Sequence, residues 1–253
     1  MMNLCSFLRI IKIHPLIYFY FIISIFSGYW KYYLGAYLLV CIHELCHLLM
    51  AYSFHFEIEK IELLPFGAYL SLNDFGFKPI LYEMAVVLAG PSCHFFIYVI
   101  LKDFSYIVFI QYLLKMNSLI FLFNLLPIYP MDGYRFILLM MQNFLDLQKS
   151  YHLSFKLSLF FLSLLVVQCH NLNNFIIFSF LFYSNILYYF RIPGLLRNYF
   201  MNIPYSYKSE KIKIHHKLKY IRDKQNYYHV GNYFYDEKSM KYDLIKNVKS
   251  NQK

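Results

Sequence analysis

The sequence predicts an all-α polytopic membrane protein, with about six transmembrane helices and a small β-hairpin between helices 2 and 3. Three observations carry that class. Of 253 residues, 59% are hydrophobic, 22% aromatic and only 15% charged, a balance that a water-facing surface does not produce. The apolar residues fall into runs long enough to cross ~30 Å of hydrocarbon at 1.5 Å per residue. Positive charge is concentrated at one end: from Arg191 onward there are 14 Lys or Arg against 5 Asp or Glu, nine of the ten net positive charges.

The first expected span covers 16–26, its start reaching back toward Ile10 and its end set by Gly28. Arg9 and Lys12 precede it without a small-residue cleavage site, so it reads as an uncleaved span rather than a secretory signal. Trp30, Tyr32 and Tyr33 around Lys31 resemble an interfacial aromatic belt. The second span covers 33–52. The polar connection 55–78 follows; residues 56–63 alternate partly with period two, 65–68 form a turn, and 69–72 make a returning strand. The third span, 81–101, holds Ala89-Gly90-Pro91-Ser92, small residues that let helices approach closely. After a turn at Lys102-Asp103, a fourth apolar segment (104–126) breaks at Pro127 and Pro130 and resumes at 136–141. Spans five and six cover 153–167 and 175–190. Non-helical backbone at membrane depth is tolerated only where protein or a wet cavity receives it, so the break at 127–130 marks a site.

Six spans place both termini on one side, and the charges before the first and after the last assign that side to the cytosol of a multi-pass cell-membrane protein. The expected domains are a membrane unit, 1–195, and a short basic cytosolic tail, 196–253. A basic tail abutting a span reads as a membrane-surface segment, with the lipid bilayer as partner and no direct nucleic acid. The five cysteines (Cys5, Cys41, Cys46, Cys93, Cys169) sit mostly in apolar runs and read as buried packing residues.

The chemistry lies in Cys41-Ile42-His43-Glu44-Leu45-Cys46-His47. On a helix His43 and His47 stand one turn apart on one face, so two imidazole nitrogens can converge on one metal, with Glu44 beside the first. Ionisable groups near the bilayer midplane are costly and mark function. A catalytic zinc takes three protein ligands and leaves a position for water. Asp132, after the proline-broken bend and before Gly133, is the best third ligand; Glu83 and Asp103 are poorer, both being placed in wet surroundings. Such a site, holding one Zn2+ per chain, would hydrolyse a peptide bond at membrane depth. Glu44 would carry protons from the water to the leaving amine, and the Asn124 side-chain amide would donate to the developing oxyanion. Asn124 also fits interhelical glue, and Asp132 a plain Asp-Gly turn. Cys46 reads as packing, His55 and His94 as ordinary polar or interfacial side chains. The competing function is a divalent-metal transporter or metal-binding membrane protein, which employs His43, His47 and Asp132 but neither Glu44 nor the bend at 124–127. The strand at 56–63 adds an expectation: an extended substrate segment could pair with it by strand addition.

His43-Glu44-x-x-His47, then Ala89-Gly90-Pro91, then Asn124-x-x-Pro127 and Asp132-Gly133 resemble the site-2 protease family of intramembrane zinc metalloproteases (peptidase M50). The layout and Glu62-Leu63-Leu64-Pro65-Phe66-Gly67 look like its sporulation branch. The resemblance covers 10–195 and implies zinc ligands His43, His47 and Asp132, Glu44 as catalytic acid/base, and Asn124 at the scissile region. It implies a membrane-associated regulatory protein as substrate, in the sporulation branch the pro-sequence of a sigma factor, and leaves a place for a membrane-protein inhibitor or regulator. Relatives in that branch end in a nucleotide-sensing CBS domain, whereas about 49 residues follow Pro204 here, below the size of a domain with its own core. His94 stands where many relatives carry asparagine, a departure that touches packing more than chemistry.

Overall fold

The computed structural model describes residues 11–64, 67–166, 172–203 and 212–250. The expected turn at Pro65 and Phe66 and the connection at 167–171 lie outside them. The chain divides into two compact units, one of residues 1–75 and 85–125, the other of 76–84 and 126–253.

The first unit opens with strand β1 (Ile11–Ile13) and helix α1 (Leu16–Phe26). Eleven residues reach only ~16 Å, about half the hydrocarbon thickness. Gly28, at φ +76°, supplies the left-handed turn into α2 (Trp30–Ser53), a helix of 24 residues or ~36 Å. Its two faces invert the rule for water-soluble helices. The buried stripe is Gly35, Leu39, His43, His47 and Ala51, while Leu38, Ile42, Leu45 and Leu49 point outward and are exposed. Polar and small groups inside, large apolar groups outside, is the pattern of a helix whose solvent is lipid. Gly35 lets α2 close on α4 (Val108–Leu125), for a Cβ there would stand 2.7 Å from Leu113; Tyr32 packs edge-on against Phe109 and Tyr112.

Strands β2 (Ile58–Leu64) and β3 (Gly67–Leu72) follow α2 and pair antiparallel. β1 joins them, parallel to β2 with Lys12 opposite Glu62, so the order is β1-β2-β3. β2 is therefore central, with both edges hydrogen-bonded. The strand-addition expectation for 56–63 is narrowed: Ile11–Ile13, expected as the lead-in to a span, pairs with that strand at Ile61–Leu63. Helix α3 (Ile80–Leu101) and a 3₁₀ turn (Lys102–Phe104) complete the path to α4. Among the described residues, three stretches are long and apolar enough to cross a membrane: Trp30–Ser53, Ile80–Phe104 and Val108–Leu125.

The second unit holds α5 (Asp132–Phe144), α6 (Leu147–Val166) and α7 (Leu172–Met201). α7 runs eleven residues past the expected end of the sixth span. Hydropathy falls at Arg191 and Arg197, but Ile192, Leu196, Tyr199 and Phe200 keep one buried face through the added turns. The expected tail region carries strands β4 (Ile212–His215), β5 (Gln225–Val230) and β6 (Tyr233–Tyr235), in that sheet order, and helix α8 (Lys241–Ser250). Its apolar residues Tyr220, Tyr228, Leu244 and Val248 share one core with Tyr134, Leu147 and Tyr188 of the helices, so the segment builds its core jointly with them.

The link from β4 to β5 ties down the ends of three helices. Asp223 Oδ2 accepts from the Ile80 amide at the start of α3 (2.6 Å). The Tyr220 carbonyl accepts from Leu147 N–H at the start of α6 (2.8 Å), and Lys224 Nζ donates to the Asn143 carbonyl near the end of α5 (2.8 Å). These are the backbone groups a helix cannot satisfy internally. Between them Arg222 is buried, donating to Glu83 Oε1 (2.8 Å), Gln142 Oε1 (2.6 Å) and the Lys78 carbonyl (2.9 Å).

Candidate metal centre

His43 and His47 fall on the buried stripe of α2, about 20 Å and about 26 Å from its start at 1.5 Å per residue. Their Nε2 atoms meet at 3.1 Å with the rings nearly perpendicular, 81° apart. Two nitrogens at 2.0–2.1 Å from one tetrahedral zinc stand roughly 3.3 Å apart, so the spacing suits a shared ion. His47 Nδ1 lies 2.7 Å from the Val86 carbonyl. A carbonyl only accepts, so His47 is protonated on Nδ1 and presents a lone pair at Nε2.

The opposite wall is backbone. A Cβ on Gly90 would fall 2.1 Å from His47 Nε2 and 2.7 Å from His43 Cε1. Glycine there lets α3 come against the imidazoles, which is the work of Ala89-Gly90-Pro91 in this chain. The donor set, a convergent pair of buried imidazoles with a cradle that any side chain would fill, fits a zinc ion. Glu44, the next residue on α2, is half-buried. Asn124 is half-buried on α4, and its Nδ2 donates to the Ile120 carbonyl one turn back (3.1 Å). Cys46 is half-buried rather than directed with the histidines along the buried stripe, and His55 is an exposed residue at φ 56° just past α2.

Asp132 belongs to the second unit, where it is buried as the first residue of α5. The non-helical stretch before it is held by side chains. Ser158 Oγ accepts from Tyr129 N–H (3.1 Å), and Asn185 Nδ2 donates to the Tyr129 carbonyl (2.9 Å); Ser158 in turn donates to Asn185 Oδ1 (2.7 Å). Both backbone groups of Tyr129 are thereby satisfied away from water, which is what irregular backbone at membrane depth requires. Of the poorer acids, Asp103 is exposed as expected. Glu83 is not: it is fully buried and ion-paired with Arg222. The wet environment expected for it is corrected by a cation 139 positions away in the chain.

Two residues beside the pair were not read from the sequence as part of the site: His94 was expected to be an ordinary polar or interfacial side chain, and Asn117 was passed over. His94 Nε2 lies 3.0 Å from His43 Nδ1, and Asn117 brackets His94 with its amide, Oδ1 at 2.7 Å from Nδ1 and Nδ2 at 2.9 Å from the His94 carbonyl. His94 is thus no interfacial side chain; it is 1% exposed. The available signal was the cost of a polar group within a bilayer-length apolar helix, which applied to Asn117 as much as to the histidines.

Residues 32–105 match the peptidase family M50 model. The chain is 32% identical over 164 residues to stage IV sporulation protein FB of Bacillus subtilis (strain 168); that stretch is 61% of this chain, and the chain covers 56% of the relative's length. Among solved structures it resembles the site-2 protease from Methanocaldococcus jannaschii, with a TM-score of 0.51 and 21% identity over 70% of this chain and 89% of that one, a likeness of fold. The convergent histidines of α2 lie within the segment that matches peptidase family M50, and the fold is similar to that of a site-2 protease.

Proposed function

We propose that this protein is a zinc-dependent intramembrane endopeptidase that cleaves a membrane-associated regulatory protein. The observation that carries the reading is the meeting of His43 and His47 Nε2 at 3.1 Å on the buried stripe of a bilayer-length helix, with Glu44 next in sequence. Asp132 is the third ligand in this reading. It is a buried carboxylate at the start of α5, and its negative charge offsets that of a dication taken out of water. Zinc, when bound, supplies the Lewis acidity that makes water a nucleophile near neutral pH. Glu44 takes the proton of the attacking water and returns it to the amine nitrogen of the leaving peptide. The Asn124 amide, which has a second N–H beyond the one given to Ile120, donates to the carbonyl oxygen as it gains charge.

The substrate is the pro-sequence of a sporulation sigma factor, a reading supported by the 32% identity to a stage IV sporulation protein. The enzyme works in the cell membrane as a six-span protein with both termini cytosolic, as the charges at Arg9, Lys12 and the C-terminal segment indicate. A membrane-protein inhibitor or regulator would act on it there.

Glu44→Gln tests the reading. The variant should retain one zinc per chain and lose cleavage of a co-expressed membrane-tethered pro-protein by at least about 100-fold, the usual contribution of a general base. Full cleavage by Glu44→Gln would remove the mechanism. Zinc flux in vesicles carrying the wild-type protein, without proteolysis, would instead support a transporter.

A further inference from the structure

We infer that His94 and Asn117 are positioning residues that fix which nitrogen of His43 is offered to the metal. The inference deepens the zinc-site reading above and rests on it. The polarity of the chain can be read from its far end. The His94 main-chain carbonyl only accepts, so the Asn117 amide atom facing it at 2.9 Å is the nitrogen. The other amide atom, 2.7 Å from His94 Nδ1, is then the oxygen, which also only accepts. His94 therefore carries its proton on Nδ1, and as a neutral imidazole it has a lone pair on Nε2. That lone pair lies 3.0 Å from His43 Nδ1, so His43 is protonated on Nδ1 and its Nε2 is the bare one.

The result matches His47, whose Nδ1–H is given to the Val86 carbonyl by a separate route. Two lone pairs then face each other across 3.1 Å. That is the donor arrangement a shared cation takes. In the other tautomer His43 would turn an N–H toward His47 and close the site. Asn117, His94 and His43 are all buried and sit on three different helices, α4, α3 and α2. One backbone carbonyl thus sets the tautomer through two side chains.

The same neighbourhood offers a rival arrangement. His43, Cys93 and His94 have ligand atoms within 4.8 Å of one another, so His94 could be a ligand rather than a relay. Zn2+ affinity of the full-length protein in nanodiscs, measured by chelator competition, separates the two, with thermal unfolding followed alongside. His94→Leu and Asn117→Leu should weaken Zn2+ binding 10- to 100-fold, the usual loss for a residue orienting a metal ligand, while His94→Gln, which keeps an acceptor facing His43, stays within about threefold of wild type. Cys93→Ser should bind as wild type, and the Co2+ form should lack a thiolate charge-transfer band. In the metal-free wild type, ¹⁵N-histidine spectra should show His43 and His94 protonated on Nδ1. Wild-type affinity in folded His94→Leu, loss in Cys93→Ser equal to that in His94→Leu, or His94 protonated on Nε2 would each overturn the inference. Failure of the wild type to bind Zn2+ would defeat the protease reading instead, and the metal-free spectrum would still decide the relay.

Discussion

Gly90→Ala is the smallest change that should dismantle the site. The added Cβ would stand 2.1 Å from His47 Nε2, 2.5 Å from His47 Cε1 and 2.7 Å from His43 Cε1. Ordinary van der Waals contact begins near 3.4 Å, so at least ~1.3 Å of separation must be created against His47. Neither ring can swing away freely. His47 is held by the Val86 carbonyl at 2.7 Å, and His43 by His94 at 3.0 Å. The backbone that carries the new methyl is the middle of a 22-residue helix. Forcing a methyl into such packing costs about 1–3 kcal/mol. The metal suffers more than the fold, because a donor moved by over ~1 Å cannot keep a bond of 2.0–2.1 Å. Zn2+ affinity should therefore fall at least about 100-fold, read by chelator competition on the purified variant. Gly194→Ala is the control: its Cβ meets nothing within 4 Å, and alanine in a helix interior gains roughly 0.5–1 kcal/mol over glycine. Zinc binding by Gly90→Ala within threefold of wild type would show that α3 does not close on the histidines as described.

Other expectations follow from the second unit. Arg222→Met leaves the Glu83 carboxylate, fully buried, with only the Gly76 and Lys78 amides; an uncompensated buried charge costs about 3–5 kcal/mol, and Glu83→Gln added to it should recover part of that loss in thermal unfolding. Equal stability of Arg222→Met and wild type would refute the pairing. Asn185→Leu removes the donor to the Tyr129 carbonyl and the acceptor for Ser158, and should lower stability by about 1–3 kcal/mol, with increased protease sensitivity around 126–131. Alkaline pH should loosen the β4–β6 sheet. Burial raises the Tyr220 and Tyr228 phenols above their ordinary 10.0, so the stability they contribute is complete below pH 10 and is lost as pH rises beyond it. Proteolysis of the 212–250 segment should increase in that range, together with phenolate absorbance; an unchanged cleavage rate up to full ionisation would contradict the burial.

What the sequence disclosed is set by how far apart in the chain the interacting residues lie. His43 and His47 are one helical turn apart, so helix periodicity alone puts them on one face, and the apolar run around them supplies the low-dielectric setting. The Tyr129 bend was equally local, announced by Pro127 and Pro130. His94 and Asn117 are 23 positions apart on separate helices, and Arg222 is 139 from Glu83. No periodicity relates such pairs; only the packing of α2, α3 and α4, or of the β4–β5 link on its helices, brings them within 3 Å. The pairing of β1 with Ile61–Leu63 of β2 was hidden for the same reason, since Ile11–Ile13 is too short and too apolar to announce itself as a strand beside a span.

There was nonetheless a usable signal in the long-range cases, and it comes from the solvent. In water a buried stripe is apolar and exposed polar residues are uninformative. In α2 the outward residues are leucine and isoleucine, and the inward ones are Gly35, His43, His47 and Ala51 beside Leu39. Under that inversion a polar residue in an apolar span is itself a prediction of burial and of a partner. The rule selects His43, His47, His94 and Asn117 without any motif, together with Glu44, Gln111, Lys115 and Asn124 of the same spans; Gln111 and Lys115 are exposed, so burial and pairing are left to the structure. The HExxH spacing directed attention to two members of a four-residue set. The pairings in the structure suggest that the other two matter for the reason argued above: a histidine ligand is useful only when something decides which of its nitrogens is bare.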